Sequence, residues 1–256
     1  MNNWAVILGA SSGIGRECAI ELAKNKINIF GIYLRKPKEY IQELEDEIKS
    51  YGVNVIYKKM NAANESNRLD AMKELQSIKN INVKVFIHSL AFGTLKPMID
   101  KEPTNQLKQK QIEMTTDVMS HSLIYWTQDL FNNKLLNENS QIISMTSAGG
   151  NKQWKNYGAV SLAKSSLESA TRQLALELAP FKIACNAIEA GVTITAALEK
   201  IPGFQSMIDR TLKLNPHKRL TLPIDIANAV VMLCLHNTSW ITGNTIKVDG
   251  GETLTN

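Results

Sequence analysis

In the stretch "NYGAVSLAK", Asn156 to Lys164, a tyrosine and a lysine stand seven positions apart. Successive helical residues turn by about 100°, so Tyr157 and Lys164 would come within about 20° of one another, with Ser161 and Glu168 on the same stripe. An ammonium beside a phenol lowers the phenol's pKa, and the phenol can donate to an oxygen that becomes negative during a reaction. Near the other end of the chain, "LGASSGIGRE" carries Gly9, Gly13 and Gly15. Placed between a strand and a helix, such glycines allow a sharp turn and a close backbone approach, and the helix N-terminus offers N–H donors to a pyrophosphate. Ser11, Ser12, Gly13, Ile14 and Gly15 would lie along it.

A dinucleotide-binding fold also declares its cofactor after the second strand, here "GIYLRKPKE". An acid there would accept from a ribose 2′-hydroxyl, whereas Arg35, with Lys36 beside it, suits a 2′-phosphate. The expected cofactor is therefore NADPH rather than NADH. Asn61 and Ala62, after the third strand, would lie against the adenine, and Ser89, Leu90 and Ala91, after the fourth, would flank a ribose.

These groups need a scaffold that brings several strand ends together. Short runs rich in β-branched residues ("WAVIL", "INIFGIY", "VNVIY", "VKVFIHS", "SQIISM", "FKIACNAI", "NTIKVDG") alternate with helical patterns, two of them long, near 108–133 and 154–179. The alternation predicts an α/β fold: a doubly wound, seven-stranded parallel sheet of Rossmann type with helices on both faces. Residues 1–256 read as one catalytic domain, with a long irregular insertion at about 193–221 as a mobile substrate lid.

Composition narrows the function classes. A 256-residue chain with 44% hydrophobic residues can bury a full core. The first strand-like run begins at Trp4 and no apolar run reaches membrane length, so a cytoplasmic protein with no membrane partner is expected. Cys18, Cys185 and Cys234 are isolated, which suggests neither disulfides nor a metal site. The formal charge of +5 is spread without dense basic runs, so no nucleic-acid partner is expected. His88, His121, His217 and His236 show no ligand spacing.

Taken together, the glycine turn, the Tyr157 and Lys164 pair, "NAIEAGVTIT" and "VDGG" resemble the short-chain dehydrogenase/reductase superfamily over essentially the whole chain. Most of that superfamily has tyrosine four positions before the lysine, where this chain has Val160. The longer spacing, "HSLAF" and "DVMSHSLIYWT" resemble its enoyl-[acyl-carrier-protein] reductases. In that branch the resemblance implies hydride transfer to C3 of a 2-enoyl thioester, carried on acyl carrier protein or coenzyme A in fatty-acid synthesis, and subunits paired by the two long helices into homotetramers. Negative charge then collects on the C1 oxygen, roughly 2 Å or more farther from the nicotinamide than a ketone oxygen would be. Moving the tyrosine back by about one helical turn, roughly 5 Å, leaves room for the acyl chain.

The resemblance further implies a catalytic Ser147, Gly191 and Val192 against the cofactor, the Thr193 backbone at its carboxamide and Thr195 at its pyrophosphate. Phe92, Trp154 and Leu198 would line the acyl pocket. Three positions depart from the family: Ser147, where many enoyl reductases have a second tyrosine but an NADPH-using subgroup has serine; Leu8, where threonine is common; and Val192, where proline commonly follows glycine. A carbonyl, 3-ketoacyl or hydroxysteroid reductase with a shifted tyrosine, or a dinucleotide-binding sensor without turnover, are the alternatives.

Overall fold

The computed structural model describes residues 2–236 and 238–254. Seven strands form one sheet: β1 (Asn2–Leu8), β2 (Asn28–Tyr33), β3 (Val55–Lys59), β4 (Ile81–His88), β5 (Gln141–Ser147), β6 (Ala184–Ala190) and β7 (Thr245–Val248). Their order is β3-β2-β1-β4-β5-β6-β7, and every pairing is parallel. The chain runs outward from β1 to β3, then returns to lay β4 on the other side of β1. Loops leaving β1 and β4 consequently diverge and open a crevice at their carboxyl ends.

Alternation along β1 shows why both faces carry helices. Ala5 and Ile7 join a core that includes Cys18, Ala19 and Leu22 of α1 (Gly13–Lys24), Leu44 of α2 (Lys38–Lys49) and Val230 of α8 (Pro223–Leu235). Trp4, Val6 and Leu8 point the other way, toward Leu75 of α3 (Glu65–Ser77), Trp126 of α5 (Ser122–Asn132) and Leu167 of α6 (Gly158–Leu178). Side chains of a strand alternate between faces, so a strand apolar throughout is one buried on both. Cys18, Cys185 and Cys234 are free and buried, each a small core side chain.

Three local expectations change. The first long helix is α4 (Gln109–Thr116) and α5, joined by one π-helical turn, Asp117–His121. Such a turn absorbs an extra residue without breaking the axis. The second begins at Gly158, not Trp154, because Asn156 adopts a left-handed φ of 64° and Tyr157 is the N-cap. Lastly, 193–221 is not irregular. It holds a 3-10 turn at Leu198–Lys200 and α7 (Phe204–Leu214), and a parallel bridge between Thr193 and Thr221 closes its base. Among the described residues, no helix is long and apolar enough to cross a membrane.

Candidate active site

Ser147 ends β5, Tyr157 caps α6, and Lys164 lies in the second turn of that helix. The Tyr157 ring and the Ser147 hydroxyl meet at Gly149, around the place that a Cβ there would take. The tyrosine ring lies against Gly149, where a Cβ would come within 2.5 Å of Cε1, so glycine leaves the space the ring occupies. Lys164 is buried, and its Nζ donates to the Met145 carbonyl at 2.5 Å. One turn further, Glu168 accepts from the Thr146 hydroxyl at 2.6 Å. A strand end and one helix thus hold the whole cluster, and both are anchored in the core.

The electrostatics differ from the expectation drawn from spacing. Burial raises the Tyr157 pKa, and the opposing influence is the nearby Ser147 hydroxyl, not a lysine. The Lys164 ammonium turns to the Met145 carbonyl, a partner on the strand. Burial also lowers the Lys164 pKa to about 8, against the attraction of Glu168. His88 is fully buried at the end of β4, its Nε2 lies 2.8 Å from the Ser122 hydroxyl, and burial followed by the nearby Lys164 charge pushes its pKa down to about 3.

Ser147, Tyr157 and Lys164 open on a cavity of about 390 Å³. It brings together Ile14, Arg35, Ser89, Leu90, Ala91, Phe92, Ser147, Trp154, Tyr157, Lys164, Gly191, Val192, Thr193, Thr195 and Leu198. The other candidates lie off its wall. Gly9 and Gly15 are packed in the turn, and Gly13 lies beside Thr195. Ser11 is buried and Ser12 caps α1. Lys36 stands over the Tyr40 ring, Asn61 accepts from the Ala63 N–H at 3.1 Å, and the Ala62 carbonyl accepts from Trp126 Nε1 at 2.8 Å.

Several lining residues had no sequence signal. Lys152 and Arg210 add charge to the wall, Glu252 arrives from beyond β7, and Met119 comes from the π turn. Val160 also lines the cavity. Its signal was available, since it precedes Lys164 by one helical turn.

The crevice can hold a dinucleotide. Ser12 makes no side-chain cap on α1, so the first-turn amides remain free for an anion. Arg35 Cζ lies over the Phe92 ring, 4.5 Å from the centroid, at the cavity wall where a phosphate could meet the guanidinium. Among the described residues, no group of three or more His, Cys, Asp or Glu is placed to hold a metal ion.

Fold and site together define a short-chain dehydrogenase/reductase. A family profile described as enoyl-(acyl carrier protein) reductase matches residues 9–253, and the chain belongs to that family. An NADH-type enoyl-[acyl-carrier-protein] reductase of Haemophilus influenzae is 31% identical over 170 residues, 66% of this chain and 64% of that protein. The NADPH-type enzyme of Staphylococcus aureus is 28% identical over 66% of this chain and 65% of its own. The match thus spans just under two thirds of these relatives' length. A 3-oxoacyl-[acyl-carrier-protein] reductase of Staphylococcus epidermidis is 27% identical over 98% of this chain and 99% of its own. In fold, the chain is similar to the Aquifex aeolicus enoyl-[acyl-carrier-protein] reductase (NADH), with a TM-score of 0.86, 23% identity, and coverage of 99% of this chain and 97% of that one.

Proposed function

We propose that the protein reduces the C2=C3 double bond of a 2-enoyl thioester with NADPH. One observation carries the reading. Val160, one turn before Lys164, forms part of the cavity wall, and the donor hydroxyl stands farther back at Tyr157. The space beside Val160 suits an acyl chain lying between donor and cofactor, and Phe92, Trp154 and Leu198 extend its apolar lining.

In this reading the N-terminus of α1, with Gly9 to Gly15, holds the pyrophosphate, and Arg35, with Lys36 nearby, meets a 2′-phosphate. Asn61 and Ala62 face the adenine. Ser89, Leu90, Ala91 and Lys164 meet ribose, and Gly191 to Thr195 meet the carboxamide and pyrophosphate. When bound, the cofactor supplies a hydride. Tyr157 keeps its proton, because burial raises its pKa, and donates to the thioester oxygen. Ser147 orients that hydroxyl. Lys164, largely protonated at pH 7, contributes a positive field from a mostly buried position on the cavity wall.

The 193–221 segment acts as a lid, and the carrier is acyl carrier protein or coenzyme A in fatty-acid synthesis. A cytoplasmic homotetramer built from a single catalytic domain completes the reading. Exposed Leu162 and Leu176 on α6 support subunit pairing, which light scattering would check.

A 3-ketoacyl reductase is the second reading, favoured by the near-complete match to the Staphylococcus epidermidis ketoreductase and by the presence of Ser147 and Tyr157 together on the cavity wall. Oxidation of NADPH and NADH, followed side by side with crotonyl, longer enoyl and 3-keto thioesters, separates the two. Enoyl turnover with NADPH is the expected result. Ketone turnover without enoyl turnover would select the second reading, and tight binding without any turnover would select a sensor.

A further inference from the structure

One carboxylate ties the base of the 193–221 segment to its helix. Glu252, in the 3-10 turn Glu252–Leu254 after β7, accepts from the Val192 backbone N–H at 3.0 Å through Oε2 and from the Thr211 hydroxyl at 3.3 Å through Oε1. Val192 leads out of β6 and Thr211 belongs to α7, and all three residues line the cavity. Thr211 is the one fully buried residue of α7. Phe204, Met207, Ile208 and Leu214 are half-buried, and the one buried side chain of the helix donates to Glu252.

The support behind Glu252 is rigid. Asp249 accepts from the Gly251 N–H at 2.9 Å, the Thr253 N–H at 3.0 Å and the Thr253 hydroxyl at 2.7 Å, which fixes the turn. Asn215, the C-cap of α7, donates through Nδ2 to the Asp249 carbonyl at 3.0 Å. At the base, the Thr221 N–H donates to the Val192 carbonyl at 3.1 Å, so Val192 holds both ends of the segment.

We propose that Glu252 is a positioning residue, a clamp that holds α7 and the Val192–Thr193 backbone over the substrate cavity. The proposal rests on the reading of this cavity as the enoyl thioester site. The two oxygens of one carboxylate reach opposite sides of the cavity mouth, so this single side chain couples wall and cover. Loss of the clamp frees α7 without touching Tyr157, Lys164 or Ser147. The defect should fall on substrate capture more than on chemistry.

Amide hydrogen exchange on the ligand-free chain tests the clamp directly. Glu252→Ala should raise exchange across residues 204–214 about tenfold or more, and leave β1 and β5 unchanged. Glu252→Gln, which keeps an acceptor oxygen, should recover part of the protection. Val192→Pro removes the N–H donor, with φ fixed by the ring as well. Combined with Glu252→Ala, it should add little to the single variant. In steady state, Glu252→Ala should raise the KM for crotonyl thioester about tenfold, with kcat within about twofold. Unchanged exchange in α7, equal loosening of β1 and β5, or fully multiplicative effects of the two substitutions would overturn the clamp. Absence of enoyl turnover in the unaltered protein would overturn the proposed function instead, and the exchange result would stand apart from it.

Discussion

The Arg35 guanidinium lies over the Phe92 ring, 4.5 Å from its centroid, and so ties the chain beyond β2 to the loop after β4. The attraction of a guanidinium to an aromatic face uses none of its N–H donors. Arg35 has no carboxylate partner among the described residues, which leaves those donors to a ligand. Phe92 therefore stands at the arginine as well as on the cavity wall.

Cofactor preference should follow from this pair. Arg35→Ala should raise the Kd for NADPH about 10- to 100-fold, the equivalent of a charge-assisted hydrogen bond or two, and that for NADH by less than about threefold. Phe92→Leu should act in the same direction and more weakly, since it removes the stacking surface and leaves the charge. Fluorescence titration with both cofactors measures each. Equal weakening of NADH and NADPH would remove Arg35 from a 2′-phosphate role.

Tyr157→Phe keeps the ring against Gly149 and removes only the hydroxyl. Enoyl thioester kcat should fall about 10²- to 10⁴-fold, the usual range for losing a positioned acid, while the Kd for NADPH stays within about twofold. Ser147→Ala should cost less, because it removes a neighbour of the hydroxyl and not the hydroxyl itself. A Tyr157→Phe variant with undiminished turnover would show that the donor is another group.

The glycine turn makes a stability prediction independent of any substrate. Gly9 has φ of 84°, and a Cβ there would lie 2.2 Å from the Ser89 carbonyl oxygen. Left-handed backbone costs a non-glycine residue about 1–2 kcal/mol, and overlap with backbone adds to it. Gly9→Ala should destabilise the fold by roughly 2–4 kcal/mol and lower the Tm by about 5–15 °C. Gly52→Ala is the control, because φ is 75° but the nearest atom, Lys26 Nζ, lies 3.8 Å away. It should show the backbone penalty alone. Thermal unfolding of the two variants side by side would expose any error in assigning the larger effect to overlap.

The sheet was legible because periodicity and burial agree along each strand: residues such as Ala5 to Leu8 are apolar on both faces, as a parallel sheet covered on both sides requires. The glycine turn was legible because its position between β1 and α1 gives each glycine a geometric task. Legibility failed where the cause was not local. Asn156 breaks the start of α6 through one left-handed residue, which no helical pattern announces. The Lys164 ammonium takes the Met145 carbonyl as partner, a contact between helix and strand that spacing along the helix cannot reveal. Glu252 reaches Val192 from sixty residues away, and only the sheet order brings them together.

Lys164 gives the site a pH dependence whose sign is fixed by burial. Its pKa falls from 10.5 to about 8 because the charged form loses solvent, and Glu168 limits that fall. The ammonium is therefore present at pH 7 and lost as pH rises through about 8, so kcat/KM for an enoyl thioester should decline over that interval. Tyr157 does not contribute to the limb, since burial moves its pKa upward, and His88, with a pKa near 3, adds no inflection between pH 5 and 7. Glu168→Gln removes the group that raises the lysine pKa, and should shift the limb below 8. Lys164→Arg keeps a charge that does not titrate in this range, and should abolish the limb at a reduced rate. Stability should respond in the opposite sense: between about 8 and 10.5 the unfolded chain binds the proton that the folded chain has released, so this group makes the fold more stable as pH rises. A limb that stays at pH 8 in Glu168→Gln would show that another group titrates there.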